Sequence, residues 1–254
     1  MCGQIGVIYG VKDRQPEDYD YLNWLFAYLM LLSERRGPYA TGISWLKRDG
    51  SHNIFKRTIR ASEFVKERQF AELLSEVDNS TTWLAGHTRW PTRGAADLVS
   101  NAQPLRVGRI LGTHNGTVIN ADDLFERFDL SRFAEVDSEI IFRMADDTLR
   151  DGRIDPPVFK ERLALCRGQI SAVLASKLDP TTVIVVKGNM PLEFRYHPGH
   201  QVMVYASDSA YLSVALPPET GWEKVVTRPM SVVTLRCDDL PRFSAEPFKL
   251  AARY

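Results

Sequence analysis

The chain has 254 residues, 44% hydrophobic and 25% charged, enough to bury a sizeable core in one large domain or two small ones. Its 32 basic and 32 acidic residues balance, so no global field points to nucleic acid or to an anionic membrane as a partner. The three cysteines, Cys2, Cys166 and Cys237, are too few and too scattered for a disulfide scaffold and contain no CxxC pair for structural zinc, which makes a reducing, cytoplasmic setting the expectation.

The chain opens Met1-Cys2-Gly3. If Met1 is removed, Cys2 carries a thiol and a free α-amine on one residue. An amine with a pKa of about 7.7–8.0 can accept the thiol proton, so this nucleophile needs no separate histidine. The competing reading is that Cys2 is an arbitrary second residue. Residues 5–9 are apolar and β-branched and predict a strand. Residues 16–34 predict a helix with an acidic first turn, broken by Arg35-Arg36-Gly37-Pro38. The apolar run within it, 24–32, is too short to span a bilayer and reads as buried helix. No secretory signal is visible.

Residues 43–46 and 53–57 flank the turn Arg48-Asp49-Gly50-Ser51 and predict a hairpin. The spacing over 61–77 is helical, and 82–87 and 109–114 read as buried strands. Ile140, Ile141, Met144 and Leu149 give 137–149 a helical period, and 157–166 suggests another helix. From 169 the pattern turns to strands, at 170–175, 182–187, 193–196, 202–206, 222–227 and 231–235, with a short helix within 207–216. The tail, 237–254, has no clear period. No repeat or linker divides the chain, so the expectation is one α+β domain in which helices cover sheets.

Four further segments carry chemistry. Gly86-His87-Thr88-Arg89-Trp90-Pro91-Thr92-Arg93-Gly94 follows a strand and ends in a loop, a common place for binding residues. Asn101-Ala102-Gln103-Pro104 comes next. His114-Asn115-Gly116 reads as a tight turn leaving a strand, presenting a side-chain amide and a backbone N–H that could serve one oxyanion. Asp137-Ser138-Glu139 opens a helix. Taken singly, each has a structural reading: a hairpin turn for Asn115-Gly116, an N-cap for Asp137, a surface cation for Arg89, core for Trp90.

Together and in this order, after a near-terminal Cys-Gly, these segments resemble the class II glutamine amidotransferases, a family of N-terminal-nucleophile hydrolases. The resemblance runs over nearly the whole chain. His87-Thr88-Arg89-Trp90 is similar to the glucosamine-6-phosphate synthase branch. Asn101 to Pro104 and Asp137 to Glu139 are closer to the amidophosphoribosyltransferase branch. Gln4 stands where the family usually has an apolar residue. The resemblance implies a four-layer αββα sandwich of two antiparallel sheets flanked by helices. It implies Cys2 as nucleophile and Asn115 Nδ2 with the Gly116 N–H as oxyanion hole. Arg89 would hold the α-carboxylate of L-glutamine and Asp137 its α-ammonium, with Trp90 and Thr92 completing the pocket and His114 beside it.

The family-like pattern ends near Leu235, so 1–240 is expected to form the glutaminase domain and 241–254 a C-terminal tail. Too few residues remain for an acceptor domain. The expected function is that of a glutaminase subunit that hydrolyses glutamine through a Cys2 γ-glutamyl thioester and delivers ammonia to a separate synthase. The alternative is a non-catalytic glutamine-binding module of the same fold. No cofactor and no metal are expected: Glu193, His197 and His200 have tempting spacings, but Pro198-Gly199 breaks any helix between the histidines. Cys166 and Cys237 read as buried small hydrophobes.

Overall fold

The first strand, β1 (Gly3–Tyr9), is buried along its whole length. Its side chains alternate between two apolar layers: Ile5, Val7 and Tyr9 pack toward helices, and Ile8 packs into the space between two sheets. A strand covered on both faces reads as a continuous apolar run, which is why 5–9 stands out in the sequence. The structure is a computed structural model that describes residues 2–252. Met1, on whose removal the free amine depends, lies outside the described residues, as do the last two of the tail.

Helix α1 (Pro16–Ser33) starts with proline at a position whose N–H would have no helical partner, and the Gln15 N–H donates to the Asp18 carboxylate (3.1 Å). The expected hairpin is β2 (Ala40–Lys47) and β3 (His52–Arg57). The helical stretch after it splits into α2 (Ala61–Phe64) and α3 (Arg68–Ser75). There follow β4 (Thr81–Arg89), β5 (Leu105–Val107), β6 (Ile110–Val118), α4 (Ala121–Arg127) and α5 (Glu139–Asp147). A short ribbon, β7 (Leu149–Arg150) and β8 (Arg153–Ile154), leads to α6 (Pro156–Leu163). The rest is β9 (Gly168–Ser176), β10 (Asp179–Lys187), β11 (Glu193–His197), β12 (Val202–Ala206), α7 (Ser209–Ala215), β13 (Glu223–Val225), β14 (Ser231–Arg236) and β15 (Phe243–Pro247).

Seven strands form one sheet in the order β13-β11-β12-β1-β4-β2-β3, and six form another, β15-β14-β10-β9-β6-β5. Neighbours pair antiparallel throughout. Three apolar layers separate the elements. Leu22, Phe26, Leu29 and Phe64 cover the outer face of the first sheet. Trp83, Leu111, Val173 and Val185 fill the space between the sheets. Phe125, Ile141, Phe142 and Phe159 cover the outer face of the second. The chain is thus the four-layer αββα sandwich that its resemblance implies. Among the described residues no helix is long and apolar enough to cross a membrane.

Three local expectations change. Asn115-Gly116 is not a turn: both lie within β6, paired with Ser171 and Ile170 of β9. Asn-Gly signals a hairpin because glycine accepts positive φ, but here Gly116 uses its φ of +138° inside a strand. A Cβ there would sit 1.9 Å from the Gln169 carbonyl oxygen, so the close approach of β9 demands glycine. Asp137 is not the N-cap of α5; Ser138 holds that position. Part of the stretch read as lacking any period supplies β15, an edge strand on β14.

Helix α5 presses Phe142 against Gly112 of β6, where an added Cβ would lie 2.2 Å from the ring. Phe142 is fully buried, so Phe142→Ala is expected to cost about 3–5 kcal/mol. Urea unfolding should show a lower midpoint at unchanged slope.

Candidate active site

Cys2 precedes β1 and is held at its entry by Arg36, whose Nε donates to the Cys2 carbonyl oxygen (2.9 Å) and whose Nη1 donates to that of Ser207 (3.1 Å). The Cys2 Sγ accepts a hydrogen bond from the Trp90 N–H (3.3 Å) and lies 3.5 Å from the Trp90 carbonyl oxygen. Loss of solvent raises the thiol pKa, opposed by the Trp90 N–H and the Arg89 charge and reinforced by Asp137. The residue as a whole is only half-buried. The direction follows the sulfur itself, which sits among groups that displace water.

Every sequence-predicted site residue except Asn115 lines one cavity: Cys2, Arg89, Trp90 and Thr92 on one side, His114, Gly116 and Asp137 on the other. The cavity measures about 10 Å³, room for about one water molecule. Asn115 is fully buried, and neither its Nδ2 nor its Oδ1 has a hydrogen-bond partner among the described residues. The two-residue period of β6 turns Asn115 toward the space between the sheets, the side from which β1 approaches. Leaving a buried amide unpaired costs about 1–3 kcal/mol, and such groups call for a functional explanation.

Arg89 ends β4 almost fully buried. Its guanidinium donates to three carbonyls of the next loop, those of Arg93 (2.9 Å), Gly94 (3.1 Å) and Ala95 (3.0 Å). The cation read as a carboxylate anchor therefore also ties down the loop over the cavity, while its Nε makes no hydrogen bond among the described residues. Trp90 is 43% exposed and meets Tyr39 edge-on at 5.3 Å. The Asp137 Oδ2 accepts from the Val118 N–H (2.5 Å). Its other oxygen has no hydrogen bond among the described residues. His114 is held by the Ser138 hydroxyl (2.8 Å) and the Gln169 carbonyl (3.3 Å).

Sequence reasoning assigned no role to Gln103, Ser138, Arg93 or Val136, which also line the cavity. Gln103 binds both edges of His114, its Oε1 accepting from the His114 N–H (2.6 Å) and its Nε2 donating to the His114 carbonyl (3.2 Å). Its place in the Asn101 to Pro104 motif was the one available signal. Of the residues considered for a metal, His197 and His200 meet, with ring centroids 4.3 Å apart, whereas Glu193 is engaged elsewhere. Glu193 pairs with Lys187 (3.3 Å), His200 faces Asp18 (3.0 Å), and His197 takes the His200 N–H (3.1 Å).

No family model matches the chain. Glutamine–fructose-6-phosphate aminotransferase (isomerizing) from Geobacillus kaustophilus is 30% identical over 216 residues, covering 82% of this chain and 32% of that protein. The 7-cyano-7-deazaguanine synthase of Sulfolobus acidocaldarius is 25% identical over 198 residues, covering 77% of this chain and 40% of that one. This chain thus spans well under half the length of either relative. Among solved structures, glutamine phosphoribosylpyrophosphate amidotransferase from B. subtilis superposes with a TM-score of 0.70 at 20% identity, over 98% of this chain and 50% of that chain. That likeness establishes the fold.

Two histidines at the site give the fold an acid sensitivity. Loss of solvent lowers the pKa of His87 to about 3, and burial shifts His114 in the same direction. In the unfolded chain each takes its proton near about pH 6.5. The unfolded state then binds more protons, so their contribution to stability is complete above about pH 6.5 and is lost as pH falls below it, for His87 toward about 3. Urea midpoints should drop steadily between about pH 6.5 and pH 4, and His87→Gln should flatten that slope.

Proposed function

As a homologue of the class II glutamine amidotransferases that carries their N-terminal-nucleophile fold, this chain, we propose, hydrolyses the side-chain amide of L-glutamine to glutamate and ammonia. The observation that carries this reading is one cavity joining the Cys2 thiol to a guanidinium, a carboxylate and the Gly116 backbone, with the unpaired Asn115 amide behind it.

The Cys2 sulfur attacks the amide carbon, and the thiol proton passes to the α-amine freed by removal of Met1. Charge developing on the amide oxygen is met by the Asn115 Nδ2 and the Gly116 N–H. The α-ammonium then returns a proton to the departing nitrogen, the C–N bond breaks, and ammonia leaves a γ-glutamyl thioester. Water, deprotonated by the same amine, adds to the thioester carbon. The C–S bond breaks, and glutamate leaves with the thiol restored.

The cavity of about 10 Å³ is smaller than glutamine, so in this reading the site opens to admit it. The α-carboxylate accepts from Arg89, whose planar fork suits it, in competition with the loop carbonyls that now occupy the guanidinium. Asp137 receives the α-ammonium on its free oxygen. The relatives named above are an aminotransferase and a synthase, and the ammonia in this reading passes to a synthase on a separate chain. Purification from native lysate with no recurrent partner, together with high free glutaminase turnover, would overturn that last part.

Cys2→Ala is expected to abolish glutamine hydrolysis. Asn115→Ala should lower kcat by about 10²–10³ with KM nearly unchanged, the mark of a donor used in the transition state. Intact mass after treatment with an electrophilic glutamine analogue should show one adduct on Cys2 and the absence of Met1. Parental turnover by Cys2→Ala would sink the mechanism, and a chain that binds glutamine without forming an adduct would be a binding module instead.

A further inference from the structure

We propose that Gln4 is a positioning residue for this reaction, an inference that rests on the function proposed above: its carboxamide fixes the strand that follows the nucleophile against the strand that carries Asn115. Gln4 is fully buried. Its Nε2 donates to both the carbonyl oxygen (2.9 Å) and the Oγ1 (2.7 Å) of Thr113 on β6. Its Oε1 accepts from the Ser171 hydroxyl (3.1 Å) on β9. β1 belongs to the seven-stranded sheet, whereas β6 and β9 belong to the six-stranded one. All three hydrogen bonds therefore cross the interior from one sheet to the other.

Their placement ties them to the chemistry. Gln4 lies two residues after Cys2, Thr113 lies two residues before Asn115, and Ser171 is the register partner of Asn115 on β9. In extended chains residues two apart share a face, so the clamp sits one step behind the pair that must meet across the cavity. The Gln4 N–H is also fixed, donating to the hydroxyl of Ser207 (3.0 Å), which follows the neighbouring strand β12.

Stability alone does not explain glutamine here. The same gap is filled farther along by Ile8, Leu111 and Val173, and an apolar side chain would bury as well without desolvating an amide. Apolar contact is non-directional. An amide with its donors and its acceptor all engaged defines one register between two sheets. A misplacement of about 1 Å at reacting groups can lower a rate about 10²-fold.

Gln4→Met keeps the side-chain length and removes the hydrogen bonds. We expect kcat for glutamine hydrolysis to fall about 10- to 100-fold, with KM within about twofold of parental and cooperative unfolding retained. Thr113→Val, which removes one contact from the opposite side, should lower kcat less, and the double variant should lose no more than Gln4→Met alone, since both act through one contact. A merely structural role would lower the unfolding midpoint and leave kcat unmoved. A folded Gln4→Met with parental kcat, or losses that multiply in the double variant, overturns the inference. If Gln4→Met does not fold, parental kcat in Thr113→Val overturns it. A parental chain without glutaminase activity overturns the proposed function itself, whereas an active parent with insensitive variants overturns only the role of Gln4.

Discussion

The Cys2 thiol and the Asn115 amide hang from different sheets, and the face-to-face packing of those sheets is the constraint on which the site depends. The interior between them changes character along its length. Away from the cavity it is apolar, filled by Trp83, Leu111, Val173, Val183 and Phe194. Toward the cavity Gln4, His87, Thr113, Asn115 and Ser171 are all buried. Burying one large apolar side chain contributes about 1.5–3 kcal/mol, against about 0.5–1.5 kcal/mol for a neutral hydrogen bond. Adhesion of the sheets is therefore the work of the apolar end, and the polar end governs how the strands line up.

The electrostatics of this interior narrow the choice of base. His87, held near a pKa of about 3, is too weak a base to draw a proton from a thiol at neutral pH. His114 is shifted the same way and is occupied by Ser138 and Gln169. Cys166 and Cys237, pushed up to about 12 by burial alone or chiefly so, show what an apolar environment does to a thiol. Cys2 differs by having the Trp90 N–H on its sulfur and the Arg89 charge nearby, both of which favour the thiolate.

What could be read from the sequence was whatever is local or periodic. The strand at 5–9 announced itself because both its faces are covered. The helix at 16–33 did so through Pro16 and its apolar run, and the hairpin through Asp49-Gly50. Cys2, Arg89, Thr92, Gly116 and Asp137 could be named together through resemblance, and they do share a cavity. Contacts between distant segments were not legible. The approach of Gln169 that forces glycine at 116 is one example, and it made a strand residue look like a turn. The three loop carbonyls on Arg89 are another. Gln4 was visible only as a polar residue on an apolar strand, since its partners lie 109 and 167 positions away.

The margins of the two sheets bear on how this molecule can meet others. The six-stranded sheet ends in β5, only three residues long, and in β15, which closes with Pro247. The seven-stranded sheet ends in the three-residue β13 and in β3, which carries Lys56 and Arg57. Short, charged or proline-bearing margins discourage the docking of a foreign extended segment. Among the described residues no long, bare margin offers itself for backbone-to-backbone recruitment. That leaves the helical flanks and the loops around the cavity mouth as the described surfaces open to a partner.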